Sequence, residues 1–273
     1  LVEAFRDLLP LLRSGFGARG LAHESGYLVV HHARGAVSDK AAHQIIAPAA
    51  LTPAQARGLY DQLARAQIAA TYEAGMRMEL AQGLTSIEGL RQRRQDLRPL
   101  LGELDNPYPG LQAVLYSGLA SPLLKLEETN YARAMRQVIA RSRQPYRETA
   151  GAPDIMAGHN GPGHMLAHIL VPVYGRATAK RDQSLAATRL LQIVLALKAQ
   201  KQSLGSYPPV LTGLVWQSPL EDPFSGKPFV YRPRGNGFLL YSIGPNLKDD
   251  GGKGPSQPSK ILEEGDMVWL CRR

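Results

Sequence analysis

Residues 185–204, followed by Gly205-Ser-Tyr-Pro-Pro209, constrain this chain more than any other stretch. Ala187, Leu190, Leu191, Val194, Leu197 and Leu204 fall at helical spacing, and Leu185, Ile193 and Leu195 widen the apolar stripe. Arg181, Arg189, Gln192 and Gln200 occupy other faces. Gly205 supplies the left-handed conformation that closes a helix, and Pro208-Pro209 forbid its continuation. After that point the pattern changes to alternation. Pro228-Phe-Val-Tyr-Arg232 predicts a strand, and residues 238–243 its partner. Between them Arg234-Gly-Asn-Gly237 predicts a tight hairpin, because Asn-Gly favours turns that match strand twist. Gly244-Pro-Asn246 ends the second strand, and after a polar loop residues 266–270 supply a third. One long helix on a small antiparallel meander is an α+β arrangement, expected over 168–273.

Upstream, periodicity predicts a mostly helical domain over 1–150. Leu8, Leu9, Leu11 and Leu12 open the chain on an apolar face. Thr52-Pro-Ala-Gln55 is a capping box with proline in the first turn, and the helix it starts is expected to run through Leu59, Leu63, Ile68 and Met76 to Leu80. Asn106-Pro-Tyr-Pro-Gly110 is a turn cluster. A further helix is expected from Leu126 to Ile139, with Glu127, Glu128, Arg133 and Arg136 supplying charge pairs. Residues 151–167 carry Gly151, Pro153, Gly158, Gly161, Pro162 and Gly163 and predict a linker between the two domains.

Composition narrows the function classes. A hydrophobic fraction of 44% with 20% charged residues supports a buried core. The net charge of +9 raises nucleic acid or an anionic membrane surface as partners. Its densest cluster is Arg91, Arg93, Arg94 and Arg98, and no aromatic residue interleaves with it to stack a base. The solvated face of an arginine-rich helix is the simpler account, and nucleic acid is not an expected partner. The lone Cys271 rules out a disulfide within the chain. No run of apolar residues is long enough to span a membrane. Because the sequence opens at Leu1 in a helical pattern, an upstream segment carrying a signal or anchor is expected.

Four motifs in order resemble a known family. Gly205-Ser-Tyr207-Pro208 is similar to the Gly-x-Tyr-Pro that closes the long helix of the major pseudopilins of type II secretion. Asp222-Pro-Phe-Ser-Gly-Lys-Pro-Phe-Val-Tyr231 resembles their strand entry. Tyr241-Ser-Ile-Gly-Pro-Asn246, followed by Asp249-Asp-Gly-Gly252, resembles their loop, and Asp266-Met-Val-Trp269 the end of their sheet. The wording of these motifs is similar to that of planctomycete-type envelope proteins that carry a helical region before the same module. The resemblance implies a non-enzymatic structural or interaction protein of the cell envelope, on its extracytoplasmic, periplasmic side. It also implies protein partners in a secretion-type or other membrane-associated assembly.

The resemblance further implies calcium, with Asp249, Asp250 and Asp266 as carboxylate ligands and Asn246 or carbonyls near Ser242 adding oxygens. Lys248, Lys253 and Lys260 in the same loop oppose a cation. One departure from the family concerns assembly. The apolar stem that anchors and polymerises pseudopilins does not precede this helix, since His168-Ile-Leu-Val-Pro-Val-Tyr174 is too short and too interrupted.

Catalytic signatures are absent: there is no Gly-x-Ser-x-Gly elbow, no phosphate-binding loop and no dinucleotide fingerprint. The alternative to an interaction protein is a metal-dependent enzyme or metal-binding protein using His159, His164 and His168, with Asp154 nearby. His164 and His168 are four apart, so a helix sets them on one face, but the glutamate of a zinc-protease motif is missing. His31, His32 and His43 form a second, weaker group.

Overall fold

A computed structural model describes residues 51–65, 68–92, 121–159, 177–214, 216, 219–257 and 260–271, and with short gaps 161–171. The helices expected before residue 51, His31, His32, His43, the turn cluster at 106–110 and the arginines 93, 94 and 98 lie outside the described residues. Among the described residues five α-helices accompany one three-stranded antiparallel sheet, so the chain is α+β with helices dominating. The helices are α1 (Pro53–Ala64), α2 (Ile68–Arg91), α3 (Ser121–Ser142), α4 (Tyr146–Thr149) and α5 (Ala177–Leu204). The strands are β1 (Val230–Arg234), β2 (Gly237–Ser242) and β3 (Met267–Cys271), in the order β1-β2-β3.

The chain divides into two compact units that interleave in sequence. Of the described residues, one comprises those up to Thr71, the segment Pro145–Ala150 and those from Ala179 onward; the other comprises those between Tyr72 and Gln144 and between Gly151 and Thr178. This differs from a division at a 151–167 linker, and the packing gives the reason. Ala56 and Tyr60 of α1 are buried in the same apolar cluster as α5 and the sheet. The Gly/Pro-rich segment meanwhile packs on α3: Asn130 Nδ2 donates to the Gly163 carbonyl (2.7 Å), and Met165 N donates to Glu127 Oε1 (2.7 Å).

In the first unit, Thr52 caps α1 as expected. Its Oγ1 accepts from Gln55 N at 3.3 Å while Gln55 Oε1 accepts from Thr52 N at 3.0 Å. The helix ends at Ala64 and does not continue to Leu80; α2 starts separately at Ile68. Ala56 and Tyr60 serve one core and Tyr72, Met76 and Ile87 are buried in the other unit, so the two segments answer to different cores. Around α5, Ile193, Val194, Leu195 and Leu197 have no exposed surface. They share a cluster with Phe238 and Leu240 of β2 and with Met267 and Trp269 of β3. Gly205 (φ 77°) closes α5, and Gly205 N bonds the Lys201 carbonyl at 2.8 Å.

Register follows the alternation. Tyr231 pairs with Leu240, and Leu240 with Trp269. The hairpin turns on Gly235 (φ 54°) and Asn236, with Arg234 opposite Gly237. Glycine at the first central position is what a type II′ turn requires, so the deciding residue is Gly235, ahead of the expected Asn-Gly pair. All six residues of β2 are buried. Phe238 and Leu240 face the α5 cluster, whereas Leu239 and Tyr241 alternate to the opposite face. That face is covered by the β2–β3 loop: a Cβ on Gly252 would come within 2.9 Å of Leu239 and 3.3 Å of Tyr241.

In the second unit, α2 and α3 approach closely where Gly83 meets Tyr131. The Tyr131 hydroxyl donates to the Glu79 carbonyl at 3.1 Å. No helix among the described residues is long and apolar enough to cross a membrane.

Candidate functional site

Among the motif residues, Asp222, Ser242, Asp249, Asp250 and Asp266 are bonded around the ends of β2 and β3. Asp222 is buried to 1% exposure and opens a turn closed by two backbone bonds, Gly226 N to the Asp222 carbonyl and Asp222 N to the Lys227 carbonyl, both 2.8 Å. Its Oδ1 accepts from Phe224 N (3.0 Å) and Ser242 Oγ (2.7 Å), and its Oδ2 from Ile243 N (3.2 Å). One carboxylate thus ties the strand-entry turn to the end of β2.

The β2–β3 loop brings together the four residues read as calcium ligands. Asp266 has no exposed surface; its Oδ1 accepts from Asp250 N (3.1 Å) and its Oδ2 from Gly252 N (2.6 Å). Burial, with Asp249 and Asp250 nearby, pushes its carboxyl upward, although the two N–H donors pull the other way. Asp250 Oδ2 accepts from Asn246 Nδ2 (2.9 Å) and Gly265 N (3.1 Å). Asp249 Oδ1 accepts from the Tyr241 hydroxyl (3.0 Å) and Gly251 N (2.9 Å). Burial and this carboxylate both raise the Tyr241 phenol. Asn246 Oδ1 accepts from Lys248 N at 3.1 Å. Lys248, Lys253 and Lys260 are exposed. Leu247 sits at φ 59°, an uncommon conformation for a bulky residue, while packing on the apolar cluster. Although the loop brings them close, the four side chains turn their oxygens to separate N–H and O–H donors. Among the described residues no group of three or more His, Cys, Asp or Glu is placed to hold a metal ion.

The histidines lie in the second unit. The rings of His159 and His164 are 5.6 Å apart, tilted by 50°. His168 instead directs Nε2 to the His159 carbonyl at 2.7 Å, and His159 Nδ1 lies 3.2 Å from the Ala157 carbonyl. His164 Nδ1 is buried without a hydrogen-bond partner. Both His159 and His164 line a cleft of about 10 Å³ with Asn130, Arg133, Gln137 and Met156, which is room for a single water. Asp154 turns away to accept from Met156 N at 3.0 Å.

Of the basic cluster, Arg91 is described. It forms two bonds of 2.6 Å to Glu88, which holds that carboxyl down at about 2. Its charge is thus largely matched within its own helix.

The faces of α5 expected to be polar are largely buried, with Arg181, Gln192 and Gln200 at 5%, 4% and 7% exposure. Arg181 and Asp182 are both buried and bonded side by side, with Arg181 Nε and Nη2 at 2.7 and 2.6 Å from Asp182 Oδ1. Asp182 Oδ2 accepts from Tyr146 N at 2.7 Å, fixing α4 against α5. Burial raises the Asp182 carboxyl and lowers the Arg189 guanidinium. Arg189 donates to the Glu221 carbonyl (2.6 Å) and Arg147 to the Pro223 carbonyl (3.0 Å), so two arginines hold the strand-entry turn by its backbone. Adjacent Arg-Asp on a helix is unremarkable in a sequence, and burial of both is a property of the packing.

No protein-family model, curated protein or solved structure matches the chain.

Proposed function

We propose that this chain is a non-enzymatic protein of the cell envelope that works by binding partner proteins. Its second unit serves as a helical scaffold, and its α5–meander module as a pseudopilin-like interaction head. The observation that carries this reading is the use to which the motif residues are put. Gly205 closes α5, Asp222 joins turn to strand, and Asp249, Asp250 and Asp266 hold the loop over the sheet. Residues spent on internal bonds build a shape, and a shape of this kind acts through its surface.

Cell fractionation with protease accessibility of spheroplasts tests the reading. An envelope protein remains with the membrane or periplasmic fraction and is cut from outside; a fully cytoplasmic, protected protein would sink it. Cross-linking in intact cells should then yield specific heavier species that persist after mild detergent extraction.

A second reading has one observation in its favour: the paired rings of His159 and His164, with a buried and unpartnered Nδ1 on His164. Metal analysis of the purified protein decides it. Stoichiometric zinc lost in a His164→Ala variant would replace the interaction reading with a metal protein.

A further inference from the structure

We infer that the β2–β3 loop closes over the sheet without a metal ion, with the buried Asp266 carboxylate as the fixed centre on which it folds. The family resemblance implies calcium here, and the donor set does not fit that ion. A calcium site needs about six to eight oxygens converging on one point. In this loop hydrogen-bond donors converge on the oxygens instead. Asp250 N and Gly252 N point at Asp266, Gly265 N and Asn246 Nδ2 at Asp250, and Gly251 N and the Tyr241 hydroxyl at Asp249. They occupy four of the six carboxylate oxygens: both of Asp266, Oδ2 of Asp250 and Oδ1 of Asp249. Turning those four oxygens toward a common point would cost the donors their acceptors.

The backbone is shaped for the closed form. Gly251 (φ 72°) and Gly252 (φ 81°) are both left-handed, and Gly252 rests on Leu239 and Tyr241, so the N–H that reaches Asp266 belongs to a residue already seated on the sheet. Asp266 N in turn donates to the Lys253 carbonyl at 2.7 Å, which fixes the far side of the loop to the start of β3. Gly265 (φ 82°) lies directly against Pro255, where a Cβ would sit 2.4 Å from the proline nitrogen. The loop thereby covers Leu239 and Tyr241 whatever the ionic composition around it.

Thermal unfolding followed by tryptophan fluorescence tests this on the purified full chain, in EDTA and in millimolar calcium chloride, with calorimetric titration of calcium chloride alone. The expected result is the same midpoint in both solutions and no binding heat. Asp266→Asn replaces an acceptor oxygen by an N–H donor facing an N–H, so its midpoint should drop by several degrees equally in both solutions. A midpoint that rises with calcium, with the rise abolished in Asp266→Asn, would overturn the inference. Should Asp266→Asn not fold, Asp250→Asn supplies the same comparison, and the unsubstituted protein decides the sign by itself. The outcome is separable from the envelope reading, since loop closure is measured on isolated protein and location in the cell is not.

Discussion

Replacing Asp222 by alanine measures how much of the head module hangs on one carboxylate. Three donors converge on this side chain, which is 1% exposed: Phe224 N, Ser242 Oγ and Ile243 N. A buried donor left unmet costs about 1–3 kcal/mol. The hydroxyl of Ser242 can rotate elsewhere, so two backbone N–H groups bear the main loss, and removal of a buried charge returns part of it. The expected net loss is about 3 kcal/mol for Asp222→Ala. Asp222→Asn retains the Oδ1 contacts and loses only the acceptor for Ile243 N, for about 1–2 kcal/mol. Urea unfolding followed by tryptophan fluorescence reports on the right unit, because Trp216 and Trp269 are the only two tryptophans in the chain and both lie in it. A loss for Asp222→Ala below about 1 kcal/mol at unchanged denaturant slope would refute the reasoning, as would equal losses for the two variants.

Other consequences are as open to measurement. Gly265→Ala places a Cβ 2.4 Å from Pro255 N and 2.6 Å from the Gly254 carbonyl carbon at a φ of 82°, both backbone contacts; a loss of about 2–4 kcal/mol is expected in the same urea assay, and a neutral effect would show that the loop relaxes freely. Gly83→Ala brings a Cβ within 2.3 Å of the Tyr131 hydroxyl; a loss of about 1–3 kcal/mol by far-UV circular dichroism is expected, and a smaller loss when the same change is made in a Tyr131→Ala background, while an equal loss in both backgrounds would place the strain elsewhere. Glu73 is bonded by Arg143 and then Arg77, which hold its carboxyl at about 2 against an ordinary 4.5. A depressed carboxylate stabilises the fold above its ordinary pKa and ceases to do so as pH falls through about 2, so carbon-detected NMR should show Glu73 ionised at pH 3.5; a midpoint near 4.5 would mean the two arginines are not engaged in solution.

Much of the head was legible because its signals are local. The Gly205 stop, the helical stripe around Leu190 and Val194, and the alternation across 238–243 each depend on a few consecutive residues. Periodicity and left-handed backbone are properties that short sequences carry by themselves. The Thr52 capping box was equally local, and it formed as expected. Where that helix ends was less legible, since Ala56 and Tyr60 bury in one unit while Tyr72 and Met76 bury in the other, and sequence spacing alone does not distinguish two cores.

The side chains at the site divide the same way. Asp249, Asp250 and Asp266 stand out in the sequence as an acidic group, and the loop brings them close. Whether such a group gathers oxygens around an ion or spreads them over N–H donors depends on backbone torsions at Gly251 and Gly252 and on a sheet face beneath the loop, Leu239 and Tyr241. The pairing of Arg181 with Asp182, and their burial beside α4, likewise depends on Tyr146 N being delivered by a segment 36 residues away. By itself the sequence determined the capped start of α1, the end of α5 at Gly205 and the strands of the meander, because dihedral preference and hydrophobic period act over neighbours. Only the tertiary structure decided which donors meet which carboxylates and which helix joins which core. Those contacts are made between segments distant in sequence, and each carboxylate bonds whatever the packing places within about 3 Å of it.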